Sequence, residues 1–284
     1  MKKKIISINK PRAPHFVGDG FRVHNFIPQA ASRERLDPFL LLDYNSPYTF
    51  PPSTAKRGVD VHPHRGFETV TIAYKGSVSH HDSAGGGGTI QAGDVQWMTA
   101  GSGILHKEYH SEDFSNSGGD FQMVQLWVNL PAVHKMTAPR YQTLKKDQLS
   151  RVNYADAEVE VIAGQVMDVK GPAKTFSPVE LYNVRLRSGG SIDLTMKYAG
   201  FMLVIEGEIN LEGVAVSRDH FVVLGEEGED FRVSASQDAI VLVGSGAPLH
   251  EPIVAHGPFV MNSKEEIMQA FQDFNLGKFG YLED

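Results

Sequence analysis

The chain has 284 residues, a length that allows two domains or one large barrel at about 150 residues per domain. Its 27 basic and 34 acidic residues leave a net charge of −7, which disfavours electrostatic attachment to nucleic acid or to an anionic membrane. With no cysteine, disulfide frameworks, thiolate zinc sites, iron–sulfur clusters and thiol nucleophiles are all excluded, and any metal must be held by nitrogen and oxygen.

In chain order, Lys2, Lys3 and Lys4 followed by Ile5 and Ile6 begin like a signal peptide, but Asn9-Lys10-Pro11-Arg12 ends the apolar run. The longest apolar runs, at 39–42 and 201–205, fall far short of the roughly 18 residues a spanning helix needs. A soluble, cytoplasmic protein is the expectation. Short strands are predicted at 67–74, 94–98, 121–129, 159–165, 181–186, 201–205, 221–224 and 239–244, where β-branched and aromatic residues run between turn formers. The Gly85 to Gly88 run is placed like a hairpin loop, because no Lys-Ser/Thr follows it to cradle phosphate. Such dense turn signals predict an all-β sandwich or barrel. The last segment alone reads as a helix. Ser263 and Glu266 form a capping box, Ile267, Ala270, Phe271 and Phe274 share one face, and Gly277 fits the stop. It reads as a docking helix that closes a core.

A faint internal repeat links the two halves. Tyr74-Lys75-Gly76-Ser77-Val78 reappears as Ile205-Glu206-Gly207-Glu208-Ile209, and Gly93 to Met98 has a counterpart in Arg218 to Val223. Two related β-barrels divided between about residues 140 and 175 account for both the repeat and the length.

Most of the 12 histidines read as surface or satisfied core residues. His15, His24, His134, His220, His250 and His256 lack a partner at ligand spacing. His80 and His81 are adjacent, so in a strand they face opposite ways. His110 follows His106 by four residues, which would matter on a helix, and this segment does not read as one. His62-Pro63-His64 is different: positions i and i+2 of a strand share a face, so both imidazoles can reach one ion while Pro63 turns away. Proline also removes a ladder donor, which places this strand at an edge or at a strand start. His106-Lys107-Glu108 repeats the spacing with an imidazole and a carboxylate.

The segments HPHRGFETVT at 62–71, DSAGGGG at 82–88, GDVQWMTAGSGILHKE at 93–108 and LWVNLP at 126–131 resemble the pirin family of the cupin superfamily. DPFLLLD at 37–43 and EPIVAHGPFVMNSKEEI at 251–267 are also similar to pirin segments, so the resemblance covers nearly the whole chain. It implies an all-β bicupin fold with a C-terminal helix: a metal-binding barrel at 1–140 and a second barrel at 141–284 without metal ligands. The segment from about 250 to 284 is expected to pack back on the first barrel. It also implies iron held by His62, His64, His106 and Glu108, the four residues the spacing singles out. Many cupins take the glutamate ligand from the first motif, where Glu68 stands; in the pirin pattern Glu68 is instead structural or supports the ligands. The second motif departs from the general cupin pattern as well. It has Thr99-Ala100-Gly101 in place of Pro before Gly, and four residues between Gly101 and His106, again the pirin form. Carried by offset along the repeat, the four ligand positions fall on Asp193, Thr195, Phe231 and Val233, none of them histidine.

Three neutral imidazoles and a carboxylate leave a divalent ion with a net charge of +1, and an octahedral ion would keep two open positions. The resemblance favours Fe(II), with Mn, Co, Ni, Cu or Zn as alternatives. It implies two functions. One is a dioxygenase that opens the heterocycle of a flavonol such as quercetin with O₂, with Glu108 as the catalytic base. The other is an iron-dependent regulatory protein that binds a transcription factor or a metabolic enzyme. A structural or storage role is a third reading. No DNA-binding motif is present, so a regulatory partner would be a protein; a monomer is the expectation.

Overall fold

The computed structural model describes residues 1–283. Its strands assemble into two units, each with one seven-stranded and one four-stranded antiparallel sheet. The strands pair antiparallel, for example Gly119–Asn129 with both Phe39–Phe50 and Phe67–Lys75. This is the all-β, two-barrel architecture expected, with a C-terminal helix.

One unit comprises Ala13–Asn25, Phe39–Lys146 and the chain from Leu249 on. Its larger sheet runs in the order Arg140–Leu144, Val95–Thr99, Phe67–Lys75, Gly119–Asn129, Phe39–Phe50, Phe21–Ile27 and His15–Val17. Its smaller sheet runs Gly58–His64, Ile104–His110, Ser77–Asp82 and Gly87–Gln91. The strand carrying Pro63 is therefore at the edge, where the missing amide donor costs no ladder bond. The glycine run closes the Ser77–Asp82 to Gly87–Gln91 hairpin, with Asp82 Oδ1 accepting from the Ala84 and Gly86 amides at 2.8 Å each.

The other unit comprises Met1–Arg12, Phe26–Pro38 and Asp147–Pro248. Its apolar core joins both sheets, with Val184, Met202 and Val243 on one side and Ile192, Leu194, Phe231 and Val233 on the other. Asp193 and Thr195, the positions reached by offset, point outward and are exposed. The inward positions of that strand are Ile192 and Leu194, so the offset is out of phase by one residue. This matters because alternate strand residues face opposite sides.

The units are not contiguous in sequence, unlike the division at 140/141. Ile5–Asn9 pairs with Phe221–Leu224 in the second barrel's sheet. Lys3 is 3% exposed, and its Nζ donates to the Met196 and Tyr198 carbonyls at 2.9 and 2.8 Å. The segment that begins like a leader is thus a structural strand here.

The helix Lys264–Asn275 begins as predicted. Ser263 Oγ accepts from the Glu266 amide at 3.2 Å, and Glu266 Oε2 accepts from the Asn262 amide at 3.0 Å. Ile267 and Ala270 pack with Phe259, Met261 and Phe279. Phe274 is a correction: it is 37% exposed, and Asp273 is the buried residue. Asp273 accepts from Arg65 Nη1 at 2.9 Å, Lys278 Nζ at 2.7 Å and Gln269 Nε2 at 2.9 Å.

Candidate metal centre

His62 and His106 are direct cross-strand partners, and Ile104 lies opposite His64. Residues opposite one another in an antiparallel pair share a face, so the register itself brings the imidazoles together. An irregularity between His106 and Glu108 sets Glu108 opposite Val59 on one side and His80 on the other. The ring centroids stand 4.2 Å apart for His62 and His106, 4.7 Å for His64 and His106, and 4.9 Å for His62 and His64. One ring nitrogen from each of these histidines lies within 4.8 Å of the others, and among the described residues no other group of three such side chains converges in this way.

The protonation pattern suits ligation. Burial lowers the pKa of all three imidazoles, that of His64 and His106 well below the ordinary value, so the rings are neutral near pH 7. His62 Nδ1 donates to the Asp60 carbonyl at 2.8 Å and His64 Nδ1 to the Pro258 carbonyl at 3.4 Å, leaving each Nε2 as the lone-pair nitrogen. Both ring nitrogens of His106 are buried without a hydrogen-bond partner. A buried polar atom in that condition costs about 1–3 kcal/mol, and a coordinated cation would offset it. A donor set of neutral imidazoles suits a divalent transition metal, so these residues fit one.

Glu108 is not a member of the three-histidine group, though it lines the same cavity. It is 3% exposed; Oε2 accepts from Gln125 Nε2 at 3.0 Å, and Oε1 is buried without a partner. Burial pushes its carboxyl up to about 7. Glu68 stands apart, on the face of its strand opposite to Thr69 and Thr71. It accepts from Thr99 Oγ1 at 2.6 Å and lies 4.0 Å from Arg140.

The cavity beside the histidines has a volume of about 320 Å³ and is walled by Phe21, Val23, Leu41, Met123 and Trp127. Trp127 stacks on Phe67 at 4.2 Å and meets His64 edge-on at 5.3 Å. Sequence reasoning named none of these wall residues, nor Gln125. The alternation of Met123, Gln125 and Trp127 along the predicted strand 121–129 was the available signal. Of the remaining histidines, His80 is buried, with its pKa pushed down to about 3 by burial first and by His81 second, and it bonds to the Tyr141 hydroxyl. His81 is exposed, as adjacency requires. His110 shares the strand of His106 but bonds to the Gly20 carbonyl at 2.8 Å.

Two cupin-type barrels in one chain, the first carrying a three-histidine cluster of which His64 and His106 are buried, define a bicupin. The sequence matches the family described as Pirin over residues 20–128 and the Pirin C-terminal cupin domain over residues 181–280. The chain belongs to the pirin family. It is 47% identical over 281 residues to a Pseudomonas aeruginosa protein named "Putative quercetin 2,3-dioxygenase", covering 98% of each chain. It is 40% identical over 273 residues to Pirin-1 of Arabidopsis thaliana, covering 93% of this chain and 90% of that one. The crystal structure of a quercetin 2,3-dioxygenase from Acinetobacter baumannii superposes with a TM-score of 0.93 at 46% identity, over 100% of both chains.

Proposed function

We propose that the protein is a metal-dependent dioxygenase that opens the heterocycle of a flavonol such as quercetin. Its ion, Fe(II), would be held by His62, His64, His106 and Glu108. The observation that carries this reading is the convergence of three neutral imidazoles, two of them buried, beside an aromatic-walled cavity, with Glu108 unpartnered at Oε1 next to them. The similarity to proteins named for quercetin dioxygenation supports the substrate class.

A divalent iron held by these residues would supply Lewis acidity and the redox partner that dioxygen needs. The chain's own residues supply the rest. Trp127 and Phe21 offer flat apolar walls to an aromatic ligand. Glu108 takes the proton of the flavonol 3-hydroxyl, and the Gln125 hydrogen bond to Oε2 holds its carboxylate at the cavity wall. Flavonol and O₂ are consumed one for one: both oxygen atoms remain in the products and a ring carbon leaves as carbon monoxide, so no external reductant is required.

The test is to load apo protein anaerobically with Fe(II), add quercetin and air, and follow flavonol loss and carbon monoxide. Metal-dependent turnover is expected. Bound iron without turnover would overturn the enzyme reading in favour of a regulatory one. Glu108→Gln is expected to lose at least a hundredfold in kcat, the usual scale of general base catalysis; full turnover with metal still bound would remove the base role.

A further inference from the structure

Asn45 is an unusual residue to find in this cavity. It lies on Phe39–Phe50, is 1% exposed, and both its amide nitrogen and its amide oxygen are buried without a hydrogen-bond partner. It also lines the cavity that His62, His64 and Glu108 line. An unpaired buried donor and acceptor each cost about 1–3 kcal/mol, and nothing in the neighbouring walls repays this: Asn45 is paired across the strands with Met123, and Val23 and Phe21 line the same cavity. A leucine at this position would avoid the cost.

The strand register gives the position a scale. Trp127 lies opposite Leu41, Gln125 opposite Asp43, and Met123 opposite Asn45, three positions two steps apart in all on the cavity face. At 3.3–3.4 Å per residue, each step is about 7 Å. Trp127 meets His64 and Gln125 holds Glu108, so Asn45 is about 7 Å further along the strands than the level of Glu108, and roughly 14 Å beyond the Trp127 level. Asp43, which also lines the cavity, adds a carboxylate one step nearer the histidines.

We propose that Asn45 is a specificity-determining residue that recognises a hydroxyl-bearing ring at the far end of an elongated aromatic ligand. The amide oxygen accepts from a phenolic hydroxyl, and the amide nitrogen donates to that hydroxyl's oxygen or to a second one beside it. Asp43 favours the same edge, since a carboxylate also accepts from phenols. A ligand lacking those hydroxyls leaves the amide buried and unpaired, which is how a polar site rejects a deoxy analogue. The inference rests on the flavonol reading and narrows it to flavonols hydroxylated on the ring remote from the chelating edge.

The experiment is anaerobic titration calorimetry on the iron-loaded protein, with quercetin and with 3-hydroxyflavone, which keeps the chelating oxygens and lacks the remote hydroxyls. Wild-type protein is expected to bind quercetin at least tenfold more tightly. In Asn45→Leu that preference is expected to fall by tenfold or more, chiefly through lost quercetin affinity, with 3-hydroxyflavone bound as well or better. Asn45→Ser, smaller and still polar, is the second variant if leucine perturbs folding, and is expected to lose most of the preference. An unchanged preference in folded variants would overturn the role of Asn45 and leave the flavonol reading standing. Failure of the wild type to bind either flavonol would overturn the flavonol reading, and this inference with it.

Discussion

At the scale of single residues, two buried carboxylates have opposite assignments. Glu68 is 1% exposed, and burial raises its pKa to about 7 despite the Thr99 hydrogen bond and the nearby Arg140. A carboxyl raised on folding binds its proton more tightly in the native state. Glu68 therefore lowers stability as pH rises from about 4.5 to about 7, with a slope of at most about 1.4 kcal/mol per pH unit. In Glu68→Gln the overall slope should fall by that contribution, leaving the one Glu108 makes in the metal-free protein, which urea melts of metal-free wild type and variant at pH 4.5, 6 and 7.5 would show. For Glu108, also raised to about 7 by burial, the proposed ligand role gives a different dependence. The proton must leave before the carboxylate can bind a cation, so metal uptake is expected to strengthen as pH rises through 7 and to release protons. Glu108→Gln should flatten that dependence in a competition titration. The His-x-His and His-x-Glu pairs were legible because a strand repeats every two residues. The Gln125 contact and the exposed surroundings of Asp193 were not, because they depend on register between strands far apart in the chain.

At the scale of elements, the C-terminal helix shows where pattern reading stops. Its cap was legible, being local: a serine, a glutamate and the turn between them. Its buried face was not. Hydrophobicity assigned Phe274 to that face, whereas Asp273 is buried because Arg65, 208 residues away, meets it with a guanidinium. Lys278, Arg65 and Gln269 together hold the Asp273 carboxyl well below its ordinary value. A depressed carboxylate contributes stability that is fully present above its unfolded pKa near 4 and is lost as pH falls below it. Acid titration should therefore expose the helix's amides to hydrogen exchange from about pH 4 downward, and Asp273→Asn should remove that acid step while weakening helix protection at pH 7. Lys135 fixes a second joint in the same unit: its Nζ donates to the Gly66 carbonyl, Asn129 Oδ1 and the Val260 carbonyl at 2.9, 2.7 and 3.0 Å. Lys135→Met is expected to cost about 2 kcal/mol, since three acceptors lose their donor while a buried charge is removed. A smaller urea midpoint at unchanged slope would report it.

At the scale of the whole molecule, the repeat and the strand count made two barrels legible, and the difference in their interiors followed from which positions carry histidine. The first barrel gathers three imidazoles; the second fills the corresponding strands with Ile192, Leu194, Phe231 and Val233. One ion per chain is the expected result of elemental analysis, falling well below one in His62→Ala. The assignment of segments to barrels was not legible. The pairing of Ile5–Asn9 with Phe221–Leu224 leaves no trace in the composition of either strand.

That exchange of segments has a consequence for how the protein is made. The first barrel takes strands from the early part of the chain and its helix from the part after Leu249, while the second takes its edge strand from Met1–Arg12. A ribosome therefore delivers an edge strand more than two hundred residues before its partner, and the first barrel is completed last, when the segment from Leu249 on emerges. Cutting the chain at Lys146 would yield two fragments that are each incomplete, so the gene behaves as one folding unit although the molecule has two cores.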